Sequence, residues 1–168
     1  ARSFKPDIVV ILGDFLDCYS VSAHSKDPMR SANLQNELHE AESALTQLDA
    51  LGASQKVYIA GNHEYRLYRY LCDKAPALFG TVSIPKLLRL KERGWKFVDY
   101  RKTYCLGKLR ITHDVGKSGK NAHRDALGTF RHSVVIGHNH LMEMSIVGNP
   151  EHGGSSAVGA SFGWLGSF

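Results

Sequence analysis

The chain has 168 residues, a formal charge of +5, 43% hydrophobic residues and 22% charged ones. These values exclude a fibrous or wholly disordered chain and fit one folded domain with a sizeable core. Lys and Arg are scattered (Arg66, Arg69, Lys86, Lys117 and Lys120 among them) rather than gathered in a block, so charge alone does not select nucleic acid as a partner.

In chain order, the apolar run Ile8-Val9-Val10-Ile11-Leu12 lies between Pro6 and Gly13 and predicts a buried strand. Between Met29 and Leu51, residues Leu34, Leu38, Ala41, Leu45 and Leu48 recur at three- and four-residue spacing, which predicts an amphipathic helix ending near Gly52. Val57-Tyr58-Ile59-Ala60 follows as a second short strand, completing a parallel βαβ unit. Two shorter helical stretches are expected between Tyr65 and Arg93, separated by Pro76 and Gly80. Strands are then expected at 96–99, 103–106, 109–112, 134–136 and 142–147, with Gly107-Lys108 as a two-residue hairpin turn. The stretch carrying Lys117, Lys120, His123 and Arg124 reads as a solvated loop, and the Gly- and Ser-rich tail from Gly148 as a loop without pattern.

Cys18, Cys72 and Cys105 are odd in number and lack a C-x-x-C pair, so neither a disulfide framework nor a zinc knuckle is expected. No apolar run approaches the roughly 18 residues a spanning helix needs, and the N-terminus lacks the pattern of a signal peptide. A cytoplasmic protein without membrane association is the expectation.

Four polar clusters each follow an apolar strand: Gly13-Asp14-Phe15-Leu16-Asp17, Gly61-Asn62-His63-Glu64, Thr112-His113-Asp114 and Gly137-His138-Asn139-His140. Ligand sites in open α/β sheets gather at the carboxyl ends of strands. Carboxylate, amide oxygen and imidazole together suit divalent ions such as Mn, Fe or Zn.

In this order, across residues 7–140, the four clusters resemble the successive motifs of calcineurin-like metallophosphoesterases, of phage or bacterial type. The resemblance implies an α/β fold with a layered β-sandwich core flanked by helices (αββα), here lacking its first strand. It implies one such domain over 1–168, truncated at the N-terminus, with truncation at the C-terminus as a further expectation. Asp14 would bridge two metals, Asn62, His113 and His138 would complete the shell of one, and His140 would bind the other. His63 would be the general acid, oriented by Asp17. Two divalent ions are implied, Mn foremost, with Fe, Zn, Ni or Mg as alternatives. The implied reaction is hydrolysis of phosphomono- or phosphodiesters by a metal-bridged hydroxide, with nucleic acid or a nucleotide among the candidate substrates.

Two departures from the family pattern matter. The upstream Asp-x-His that would serve the second metal is not present before Asp14, and Cys18 stands where serine/threonine phosphatases carry Arg. The competing reading is therefore a non-catalytic, single-metal binding module of the same fold. His24, His39, His123, His132 and His152 lie in polar stretches and read as surface. Asp114 and Glu64 read as either support for the site or surface, and Tyr65, Tyr68 and Tyr70 as packing residues rather than a base-stacking platform.

Overall fold

The computed structural model describes residues 4–30, 33–148 and 156–162. It divides into two α/β units, Ala1–Tyr100 and Arg101–Phe168, each with its own sheet and helices. In the first, β1 (Ile8–Ile11), β2 (Gln55–Ile59) and β3 (Trp95–Val98) are parallel in the order β1-β2-β3. Parallel neighbours need a crossover, usually helical. Here α1 (Leu34–Asp49) links β1 to β2, and α2 (Glu64–Lys74) with the single turn α3 (Ile84–Leu87) links β2 to β3.

The helix predicted between Met29 and Leu51 is therefore shorter at its start. Asn33 caps it, accepting from the Gln35 N–H at 2.8 Å, and Met29 is exposed ahead of it. Its predicted apolar face is realised: Leu38, Ala41 and Leu45 are buried in one cluster with Ile11, Leu16, Tyr58, Leu67, Leu88 and Trp95. Leu45 is wholly buried, so its truncation to Ala would cost about 2–5 kcal/mol. The C-terminal end of α1 is tied down by Asp49, whose carboxylate accepts from Lys56 Nζ at 2.6 Å, Arg93 Nη1 at 2.7 Å and Trp95 Nε1 at 2.8 Å. Burial pushes the Asp49 carboxyl up, but these three hydrogen bonds outweigh it and hold the group below its ordinary value. The second predicted helical stretch after Tyr65 is only the turn α3, because Arg89 takes a left-handed conformation (φ 50°) that turns Leu88 and Leu90 into the core.

The second unit holds β4 (Tyr104–Leu106), β5 (Leu109–Ile111), α4 (Ala122–Phe130), β6 (Val134–Ile136), β7 (Glu143–Gly148) and β8 (Ser156–Ser161), with strand order β4-β5-β6-β8-β7. The β4–β5 hairpin turns at Gly107 (φ 58°) and Lys108, as the sequence predicts. Two expectations are corrected. The stretch read as a solvated loop runs into α4, with His123 buried inside it rather than on the surface, and the tail read as patternless contains β8, an interior strand between β6 and β7. His24, His39 and His132 are exposed as expected, whereas His152 and the end of the tail lie outside the described residues.

Both corrections have one cause. The sequence of β8, Ser-Ala-Val-Gly-Ala-Ser, gives little strand signal because it lacks large β-branched or aromatic side chains. Those small residues are what the packing requires: a Cβ on Gly159 would stand 2.5 Å from the His123 carbonyl oxygen and 3.1 Å from Leu127 Cβ. Ala122, Ala126, Leu127, Val134 and Ile136 form the buried cluster of this unit. Among the described residues no helix is long and apolar enough to cross a membrane.

Gly159, at this packing face, and Gly128, on the exposed side of α4, should respond with opposite sign. Gly159→Ala is expected to lower stability by about 1–3 kcal/mol through overpacking. Gly128→Ala, in α4 with nothing within 4 Å of its added Cβ, is expected to raise it by about 0.5–1 kcal/mol. Chemical denaturation midpoints measure both, and equal shifts in the two variants would contradict this account of α4 on β8.

Candidate functional site

In the first unit the parallel register places the carboxyl ends of β1 and β2 side by side, Ile11 opposite Tyr58. The loops after these strands are the two expected polar clusters, and one carboxylate joins them. Glu64, in the first turn of α2, is 2% exposed. Its Oε1 accepts from the N–H groups of Phe15 (2.8 Å) and Leu16 (3.0 Å) and from the Tyr58 hydroxyl (2.9 Å). Its Oε2 accepts from the N–H groups of Asp14 (3.0 Å) and Gly61 (2.8 Å). Burial pushes the Glu64 pKa up, the Asp14 charge adds to this, and the N–H bonds from Leu16 and Gly61 oppose it; the net direction is upward.

The loop can point three successive N–H groups at one carboxylate because Gly13 (φ 87°) and Asp14 (φ 53°) are both left-handed. Asp14 returns the contact, its Oδ1 accepting from the His63 N–H at 3.0 Å, where the N-terminus of α2 favours negative charge. Gly61 has to be glycine, since a Cβ there would lie 2.2 Å from Asp14 Oδ1. Glu64, which sequence reasoning left open, is thus a buried strut.

His63 and Asp17 lie together in the same place. His63 Nδ1 is 3.1 Å from Asp17 Oδ1, and His63 Nε2 is 3.8 Å from Asp14 Oδ2. Arg66, which the sequence analysis did not single out for this site, donates to Asp17 Oδ1 at 2.6 Å and to its carbonyl at 2.9 Å, and Arg30 pairs with Asp17 Oδ2. The available signal was spacing, because Arg66 stands three residues after His63, the residue that precedes α2, and so lies on the same side of its first turn. Asn62 is half-buried in the loop before α2. Tyr65, Tyr68 and Tyr70, expected to pack, are instead exposed; Tyr65 stacks on Tyr68 at 5.0 Å and meets Tyr100 at 5.2 Å, while Tyr68 meets Phe79 at 5.7 Å.

In the second unit β5 and β6 are parallel neighbours, so the residues after them also meet. The His113 carbonyl accepts from the N–H groups of Gly137 (3.0 Å) and His138 (3.1 Å), which fixes the two strand ends together. The rings cross edge to face, with His113 Nε2 3.2 Å from His138 Nδ1. Two nitrogens bound at about 2.0–2.1 Å to one tetrahedral ion lie about 3.3 Å apart, so the pair fits a shared metal. Asp114 is buried, its Oδ1 accepting from the Gly116 N–H at 2.7 Å. His140 is exposed in a left-handed conformation (φ 52°).

Within the second unit His113 and His138 each offer a ring nitrogen to one metal ion. A second metal held through His140, expected from the resemblance, finds no ligand set among the described residues. No family model matches the chain, and neither a known protein nor a solved structure is significantly similar to it.

Replacing Glu64 by Gln tests the strut. Either amide orientation turns an NH₂ toward at least two buried N–H or O–H donors, so Glu64→Gln is expected to lose about 2–4 kcal/mol in chemical denaturation. A loss under about 0.5 kcal/mol, the range of ordinary surface substitutions, would show that the two loops do not depend on this carboxylate.

Proposed function

We propose that this protein binds a single divalent metal ion, with His113 and His138 as ligands and with Asp14 and the Asn62 amide oxygen as the further donors that the resemblance implies. The observation that carries the reading is the 3.2 Å separation of the two imidazole nitrogens at adjoining strand ends. Imidazole and carboxylate together suit Mn, Fe or Zn. When bound, such an ion supplies Lewis-acid charge to an anionic group beside it. Titration calorimetry with Mn²⁺ or Zn²⁺ should report one ion per chain, and His113→Ala with His138→Ala should weaken binding on the order of 10²-fold or more. Unchanged affinity in the double variant would remove the assignment.

A second reading, a calcineurin-like phosphoester hydrolase, is favoured by the 3.1 Å contact between His63 and Asp17. A carboxylate on Nδ1 sets the tautomer and orientation of an imidazole and leaves Nε2 to exchange a proton with a leaving oxygen. Arg66 fixes Asp17 in turn. In this reading the substrate is a phosphomono- or phosphodiester, with nucleic acid or a nucleotide among the candidates, and Asp14 takes part in metal binding while His63 holds the proton. Metal-saturated protein should then hydrolyse bis-p-nitrophenyl phosphate, and His63→Asn should lower kcat by about 10²–10⁴ while metal binding is retained. The defect should be larger on an alkyl ester, whose alkoxide needs the proton, than on the p-nitrophenyl ester. Absence of turnover by metal-loaded wild type leaves the single-metal module as the function.

A further inference from the structure

The second unit contains a polar cluster that the metal reading does not use. Glu143 and Ser145 are two residues apart on β7 and so share one face of the strand; both are half-buried, while Met144 between them is exposed. Ser145 lies directly opposite Gly159 in the β7–β8 ladder. At Gly159 the missing Cβ lets the backbone of α4 approach, the His123 carbonyl oxygen standing 2.5 Å from where that Cβ would be. This approach brings the His123 ring to both β7 side chains. His123 Nε2 is 2.8 Å from Ser145 Oγ, and Nδ1 is 3.3 Å from Glu143 Oε2. His123 is 4% exposed, and its Nδ1 and Glu143 Oε2 are both buried without a hydrogen-bond partner, their 3.3 Å contact being an ion-pair approach rather than a hydrogen bond.

Counting donors assigns the protons. A carboxylate only accepts, so Glu143 favours the tautomer with hydrogen on the Nδ1 that faces it and the lone pair on Nε2, toward the serine hydroxyl. Arg124 Nε donates to the same Oγ at 3.1 Å, occupying one of its lone pairs. Hydroxyl, imidazole and carboxylate in this order activate serine nucleophiles on unrelated folds.

We propose that Ser145, His123 and Glu143 form an acyl-transfer site, separate from the metal ligands, that cleaves carboxylic esters. Lys120, Asn121 and Arg124 also line the open cleft of about 460 Å³ around it, which favours an ester bearing an anionic group. Ser145 Oγ adds to the carbonyl carbon while its proton passes to His123 Nε2. The bond to the alcohol oxygen then breaks, and the alcohol leaves with that proton. Water adds to the acyl-serine, giving a proton to Nε2, and Ser145 recovers it as the carboxylic acid departs. The Arg124 guanidinium at Oγ offsets the negative charge that develops on the oxygens.

A fluorophosphonate probe on the full chain, with the modified peptide located by mass spectrometry, tests the site. Wild type should be labelled at Ser145 at a rate insensitive to EDTA, and Ser145→Ala should lose that label. His123→Ala should react about 10²-fold more slowly, and Glu143→Gln about tenfold. A folded wild type unlabelled at Ser145, labelling abolished by EDTA, or an unchanged rate in Glu143→Gln would each overturn the proposal. If His123→Ala does not fold, wild type and the Glu143→Gln isostere still decide it.

Discussion

One buried carboxylate organises the first unit. Five donors converge on Glu64, four of them backbone N–H groups of two loops that are about fifty residues apart in sequence. Burying a carboxylate is costly unless its lone pairs are filled, and here the filling groups are N–H donors that would otherwise need partners of their own. The result is mutual dependence: the loop after β1 keeps its left-handed turn because Glu64 receives its amides, and Glu64 stays in place because α2 begins there. Asp14 closes the arrangement by accepting from the His63 N–H. The polar side chains that matter chemically are thus aimed by backbone geometry rather than by their own packing.

The second unit positions its chemistry differently. His113 and His138 are placed by strand adjacency, since β5 and β6 are parallel neighbours and each His follows two residues after its strand. A single carbonyl receiving two amides then fixes the spacing of the rings. The left-handed conformations at Asp14, Cys18 and His140 cost on the order of 1 kcal/mol each for residues bearing a Cβ. They cluster in the polar loops, where surrounding hydrogen bonds can hold them.

Much of this was legible in the sequence, for identifiable reasons. The β1-α1-β2 unit was readable because its apolar spacing changes from a run to a three- and four-residue repeat and back, and the β4–β5 turn because Gly107-Lys108 separates two strands by two residues. The pairing of the loops at Asp14 and His63, and of those at His113 and His138, followed from polar clusters at the ends of parallel strands. What escaped were elements whose signal is smallness. Neither β8 nor α4 announces itself, because Gly159 and Ala126 are chosen for what they leave out. Glu64 was ambiguous for a related reason: a charged residue in a polar motif gives no local sign that five donors, four of them from distant or sharply turned backbone, will surround it. Of the candidate site, the residue types and their pairwise meeting were readable, while the supporting contacts of Arg66 and Glu64 depend on three-dimensional placement.

Cys18 lies inside this network. Its thiol is wholly buried, its backbone N–H is held by Glu37 Oε2 at 2.7 Å, and burial, with the charges of Glu64, Glu37 and Asp17, pushes its pKa well up, so almost no thiolate exists there near neutral pH. Cys72 and Cys105, by contrast, are exposed. Reaction with a thiol reagent therefore separates into two classes: immediate modification of the exposed pair, and slow modification of Cys18 limited by how often the loop after β1 opens. The chain thus carries its own clock for local opening at the Asp14 loop, readable without introducing a new cysteine.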